Sequence, residues 1–196
     1  MRQINIFILN TLFLLFAPLS AAEWMVTPSV GYTLGGKVID QAGNQYDLDN
    51  ASSYALAIET TYDKGRVGLF YSTQSTEVEA LVNQDASIHY LHFQSSIHYP
   101  IAEKFSSFIG LGIGGAYTDV EWADKKYGFS ASAFGGVEYN LAPNIALNAQ
   151  LRWLGTMVDN DSSAVCTLPS SGSCVVKFKS DWLNQASAHV GITIRF

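Results

Sequence analysis

The residue types that could do chemistry in this chain lie on alternating positions. Ser187 and His189 share one face of such a stretch near the C-terminus, and Glu138 and Glu59 fall on the corresponding face of two others. Serine, imidazole and carboxylate together are the groups that acyl transfer needs. A hydrolase acting on lipid, however, needs its nucleophile at the lipid-facing surface, and these four point to the opposite side. No catalytic residue is therefore expected. His92 and His98 are metal-ligand types, but six residues along a strand separates them by about 20 Å, too far for one ion. Gly110-Leu111-Gly112 has the spacing that opens a phosphate-binding loop, yet no helix follows. Glycine also recurs at 114, so the stripe reads as packing, and neither a metal nor a cofactor is expected.

The elements that would hold these residues announce themselves by a period of two. From Trp182 onward the even positions include Ala186, Ala188, Val190, Ile192, Ile194 and Phe196, while the odd ones include Gln185, Ser187, His189, Thr193 and Arg195. One apolar and one polar face is the mark of a strand. Seven more segments read the same way, giving strands over 24–34, 53–62, 66–73, 88–99, 105–117, 127–139, 145–154 and 182–196. Pro28 in the first of them cannot donate to a ladder, so a bulge or a missing bond is expected there. Ahead of the strands, residues 1–22 read as a signal peptide. Arg2 precedes a mostly apolar run from Ile4 to Leu19, and Ser20-Ala21-Ala22 offers a cleavage site. No later run reaches the length of a membrane helix. The expected organisation is thus a leader over 1–22 and one domain over 23–196.

Composition sharpens the class. The chain is 48% hydrophobic and 14% charged, an oily balance for a protein without a membrane helix unless the apolar residues alternate along strands. Its net charge is −6, which argues against nucleic acid as a partner. Cys166 and Cys174 flank a segment rich in Ser, Gly and Pro in a chain with an export leader. A disulfide closing a short loop is expected, with two free thiols as the alternative.

The segments between strands alternate long and short. An up-and-down sheet of eight strands would then carry its short turns at one end and its long loops at the other, with the last strand beside the first. Polarity decides which face looks in. One face carries Glu59, His92, Gln94, Glu138, Gln150, Arg152, His189 and Arg195. The other is apolar and bracketed by aromatics: Trp24, Tyr62, Tyr99, Tyr139 and Phe196 at the short-turn end, and Tyr32, Tyr54, Tyr117, Phe129, Trp153 and Trp182 towards the loops. Two aromatic belts around an apolar band suit a bilayer. The fold class is therefore all-β, an eight-stranded antiparallel up-and-down transmembrane β-barrel. Glu59, Arg66, His98, Glu138 and Arg195 would meet as a charge network near the short-turn end of the lumen, because such groups are costly to bury singly.

Three features carry a family likeness: the leader, the run from Gly135-Gly136-Val137-Glu138-Tyr139-Asn140-Leu141 through Pro143 into the strand ending at Trp153, and the terminal Gly191-Ile192-Thr193-Ile194-Arg195-Phe196. With these the chain resembles the small outer-membrane β-barrels that include the OmpA transmembrane domain, OmpX and opacity-type surface proteins. The resemblance implies residence in a Gram-negative outer membrane, contact with membrane lipid and lipopolysaccharide, and a terminal aromatic, Phe196, read by the outer-membrane assembly machinery. The residues themselves, with the hydrolase types turned inward and a disulfide stiffening an exposed loop, give the expectation of a non-enzymatic structural or surface-interaction role of antigen or adhesin type, with host or matrix ligands reached through the loops. No peptidoglycan-binding domain is expected after Phe196. A narrow porin-like channel is the alternative, and a lipid-modifying enzyme a more distant one. Loop acids such as Asp40, Glu77 and Asp119 either attract divalent cations that bridge lipopolysaccharide or keep the surface soluble, and the second reading is preferred.

Overall fold

The computed structural model describes residues 23–39, 45–47, 49–77, 85–119, 127–157, 163–167, 173–177 and 182–196, so the expected leader lies outside the described residues. Twelve strands follow in chain order: β1 (Trp24–Leu34), β2 (Lys37–Ile39), β3 (Gln45–Asp47), β4 (Ala51–Tyr62), β5 (Gly65–Glu77), β6 (Asp85–Ala102), β7 (Phe105–Asp119), β8 (Tyr127–Ala142), β9 (Ile145–Met157), β10 (Ser163–Thr167), β11 (Ser173–Lys177) and β12 (Trp182–Arg195). Eight of them close a barrel in the order β1-β12-β9-β8-β7-β6-β5-β4. Every neighbouring pair is antiparallel, including the closing pair of β1 with β12. The expected fold class is the one found.

The period of two in the sequence becomes the two faces of the wall. β4 alternates buried and exposed from Ala51 to Glu59 without a break. Leu111 is 69% exposed and Leu151 68% on the outside, whereas His92, Ser130 and Thr193 are sealed inside. An apolar exterior over a polar interior is the reverse of a water-soluble protein, and only hydrocarbon makes it favourable. β6, at 18 residues, is far longer than the roughly 9 to 11 needed to cross a bilayer.

At one end the strands are joined by two-residue turns, Asp63-Lys64, Glu103-Lys104 and Pro143-Asn144. Asp63 takes a positive φ of 53°, a conformation that aspartate tolerates better than most side chains. The sequence suggested longer turns over 100–104 and 140–144. Instead β6 and β8 run on to Ala102 and Ala142, each through a bulge, one between Pro100 and Ala102 and one between Asn140 and Ala142. A bulge is where a sheet accommodates a proline, so Pro100 did not end its strand. At the other end the long segments after β1 and β9 are more than loops. They hold the hairpins β2-β3 and β10-β11, marked in sequence by Val38, Ile39, Val175 and Val176.

The closing seam has its own local chemistry. The register of β1 with β12 is constant, but pairing lapses at Thr27 and Pro28. Of the two outcomes expected at Pro28, the structure has the missing bond and no bulge. Thr27 Oγ1 and Thr193 Oγ1 lie 2.9 Å apart across that gap, so a side-chain hydrogen bond fastens the seam where the backbone cannot. At its end Phe196 N donates to Trp24 O over 2.9 Å, and Trp24 N donates back to Phe196 O over 3.3 Å.

The glycine stripe of β7 makes room inside. A Cβ on Gly110 would run into the Phe134 ring, and one on Gly112 would stand 2.6 Å from Ser132 Oγ. If the outer face meets hydrocarbon, Leu111→Arg should cost about 2–4 kcal/mol of barrel stability. Leu111→Ala should cost clearly less. Urea unfolding in lipid vesicles, followed by tryptophan fluorescence, reads the difference.

Candidate functional site

The lumen is filled in layers by side chains from facing strands. At the turn end, Glu138 on β8 is the hub. Arg66 on β5 reaches it with two parallel hydrogen bonds, Nη1 to Oε2 and Nη2 to Oε1, both 2.9 Å. Arg195 on β12 donates to the same carboxylate and to Asn140 Oδ1 at 2.8 Å. A fork-to-carboxylate pair is among the stronger polar contacts, and here its acceptor is 1% exposed.

Of the five residues expected to form one charge network, the structure joins Arg66, Glu138 and Arg195 by hydrogen bonds, while Glu59 and His98 stand within electrostatic reach of them and take their hydrogen bonds from other residues. Glu59 Oε1 accepts from Gln94 Nε2 at 2.8 Å. Gln94 Oε1 in turn accepts from Arg152 Nη2 at 2.6 Å. The amide thus carries the attraction between a carboxylate on β4 and a guanidinium on β9. His98 shares a 3.2 Å hydrogen bond with Ser96 and stacks on Phe108 with ring centres 5.1 Å apart.

Arg152 is the residue that sequence reasoning left out of the network. It is 2% exposed at mid-lumen, with its guanidinium carbon 3.7 Å from the ring centre of Phe70 and 4.0 Å from that of Phe134. Two aromatic faces stabilise the cation directly, and Nη1 donates to Ser132 Oγ at 2.8 Å. The signal was present: Phe70 and Phe134 sit at inward positions among small and polar residues, where an aromatic ring has no lipid to face. Towards the loop end, Gln185 Oε1 accepts from Tyr90 at 2.6 Å and from Gln74 at 3.0 Å. Ile88, Tyr90, Ala116 and Leu154 pack beside them as an apolar cluster.

The hydrolase types are not arranged as such. Ser187 Oγ donates to the Arg152 carbonyl at 3.4 Å, and His189 Nε2 pairs with Ser53 Oγ at 3.0 Å. That bond passes over β1, where Gly31 leaves the space: a Cβ there would stand 2.7 Å from His189 Cγ. His92 bonds Ser132 at 3.0 Å. Among the described residues no cluster of three or more metal-ligand types is found.

Outside, Trp24, Tyr32, Tyr62, Tyr99, Tyr139, Trp153, Trp182 and Phe196 are exposed at the two ends of the wall. Tyr117 is half-buried, stacked on His89 with ring centres 5.9 Å apart and tilted against Tyr127 at 4.9 Å. His89, absent from the expected belt, also shares a 2.9 Å hydrogen bond with the Tyr71 hydroxyl. In the loop-end hairpin, Cys166 and Cys174 are direct register partners; their side chains lie outside the described residues.

A model of the OmpA-like transmembrane domain matches residues 30–196. The chain belongs to that family. Among solved structures, Neisserial surface protein A is similar with a TM-score of 0.62 at 11% identity, over 90% of this chain and 100% of that one. The outer membrane protein OprG from Pseudomonas aeruginosa is similar with a TM-score of 0.60 at 14% identity, over 90% of this chain and 96% of that one. At such identities the likeness shows the fold alone. No curated protein matches the sequence. An OmpA-like transmembrane domain in this fold makes the protein an integral barrel of a Gram-negative outer membrane.

Removing the hub of the turn-end layer leaves two arginines without their counter-charge. Glu138→Ala should destabilise the barrel by about 3–5 kcal/mol, with a smaller loss when Arg66 is removed as well, as urea titration of the single and double variants will record. Gly31→Ala should lower the temperature at which the folded band disappears on a semi-native gel. Gly135→Ala should do so much less, because its Cβ has only the Phe108 carbonyl oxygen at 3.3 Å as a close neighbour.

Proposed function

We propose that this OmpA-like barrel is a non-enzymatic outer-membrane protein with a structural or surface-interaction role, acting through its loop end and its lipid-facing wall. The observation that carries this reading is the filled lumen. Arg152 lies between Phe70 and Phe134 at mid-height, and Glu138 holds two arginines below it. An eight-stranded barrel has an interior about as wide as its own side chains, and these bridge it from opposite strands. Ions would have to displace a buried guanidinium to pass.

Several finer assignments follow from the same reading. The Ser53-His189 pair is a serine-imidazole couple, but both residues are buried against the lumen wall, out of reach of a lipid substrate. Residues 1–22 act as a cleaved leader, and Phe196 is read by the assembly machinery. Lipopolysaccharide surrounds the wall, and host or matrix components are the ligands the loops would meet. Cys166 and Cys174 form a disulfide in the β10-β11 hairpin, supported by their register, which would stiffen an exposed segment.

Purified mature protein in planar bilayers should show no stable large conductance; a steady open current would refute the closed lumen. Deletion in cells separates the two roles: detergent sensitivity marks an envelope function, and lost adhesion a binding one. Peptide mapping without reductant should recover Cys166 and Cys174 in one linked fragment, and two separate fragments would exclude the bridge.

A further inference from the structure

The ladder between β1 and β12 is held differently from the others in the barrel, because no turn joins these two strands. Trp24 and Phe196 exchange both of their backbone hydrogen bonds, and in an antiparallel ladder bonded pairs recur at every second position. With the register found on either side, the pairs that follow along this seam are Val26 with Ile194, Pro28 with Ile192, and Val30 with Val190. Proline has no N–H, so the Ile192 carbonyl lacks its donor. The lapse at Thr27 and Pro28 divides the seam in two: a loop-end run from Ser29 with Gly191 to Leu34 with Ala186, and a turn-end piece that rests on the Trp24 and Val26 pairs.

The interruption is confined to this seam. On its other edge β1 pairs with β4 without a break from Trp24 to Thr33, and β12 pairs with β9 without a break from Trp182 to Ile194. Each strand is therefore fixed to its other neighbour, and only their contact with each other is weakened. At the lapse, Thr27 and Thr193 are 7% and 0% exposed and make the 2.9 Å hydroxyl bond across it.

We propose that the turn-end piece of the seam, residues 24–28 against 192–196, opens as a unit while the rest of the barrel stays folded, with the hydrogen bond between Thr27 and Thr193 as its latch. Local opening takes place where few bonds must break together. Here two backbone pairs and one side-chain bond hold the piece across the seam, and the lapse separates it from the longer run above. The unbroken pairing on the outer edges keeps β1 with β4 and β12 with β9, so the wall parts between them and neither strand unravels. A cavity of about 20 Å³ lies behind this stretch, lined by Thr27 and Ser29 on either side of Pro28. Opening gives water at the turn end a path to that cavity. The path goes no further, because Arg152 and its two rings fill the lumen beyond.

Amide exchange of the mature barrel in detergent micelles, followed by NMR in deuterated buffer, tests the proposal. Val26 and Ile194 should exchange faster than Val30 and Val190 beyond the lapse, and faster than Tyr139 and Leu147, a register pair at the same end of the ladder between β8 and β9. Thr27→Val should speed exchange at Val26 and Ile194 about fivefold, the worth of one hydrogen bond, while Tyr139 and Leu147 keep their rates. Thr193→Val should do the same, and the double variant should add little, since both changes remove one bond. Pro28→Ala supplies the missing N–H and should slow the same two amides; it carries the test if the valine variants do not fold, which heat-shifted gel mobility will show. Equal rates on both sides of the lapse, unchanged rates at Val26 and Ile194 in folded Thr27→Val or Pro28→Ala, or a uniform rise over the whole barrel overturns the assignment.

Discussion

Everything in this barrel depends on one constraint: a strand in hydrocarbon has no water to satisfy its N–H and C=O groups, so the wall must bond to itself all the way round. Eight antiparallel pairings without an edge meet that demand. The one lapse among the ladders, at Thr27 and Pro28 on the closing seam, falls where two threonine hydroxyls meet inside. The two bulges lie beside the turns, near the membrane boundary, where an unpaired group can reach solvent.

Once the wall is closed, the lumen becomes a second problem with different chemistry. The inward positions are polar, yet the space is too narrow to hydrate them freely, so side chains must pair with one another across it. The pairs found are long-range: Arg152 on β9 reaches Phe70 on β5, and Tyr90 on β6 reaches Gln185 on β12. Small residues are as necessary as large ones in this packing. Gly110 and Gly112 clear the space that Phe134 and Ser132 occupy, and Gly31 lets His189 lie across β1 to Ser53.

Charge is handled by two distinct devices. At the turn end one carboxylate faces two partly hydrated guanidinium groups, a direct ionic contact near water. At mid-lumen a fully buried guanidinium has no carboxylate in contact among the described residues; two aromatic faces and the amide of Gln94 take its place. The second arrangement avoids bringing a second full charge into the driest part of the barrel, where desolvating an ion pair can outweigh its attraction.

Much of this was legible from residue order alone. Alternation along each segment determined the strand faces, and the long-short rhythm of the connections determined the closed up-and-down topology, because a strand's side chains alternate whatever it pairs with. The existence of a polar lumen followed, and so did the meeting of Arg66, Glu138 and Arg195. What only the tertiary structure decided is which inward side chains touch. Glu59 takes its hydrogen bond from Gln94, His98 meets Ser96 and Phe108, and Arg152 finds two rings, because contacts across a lumen depend on strand stagger and side-chain reach between distant strands, and neither is written in local sequence.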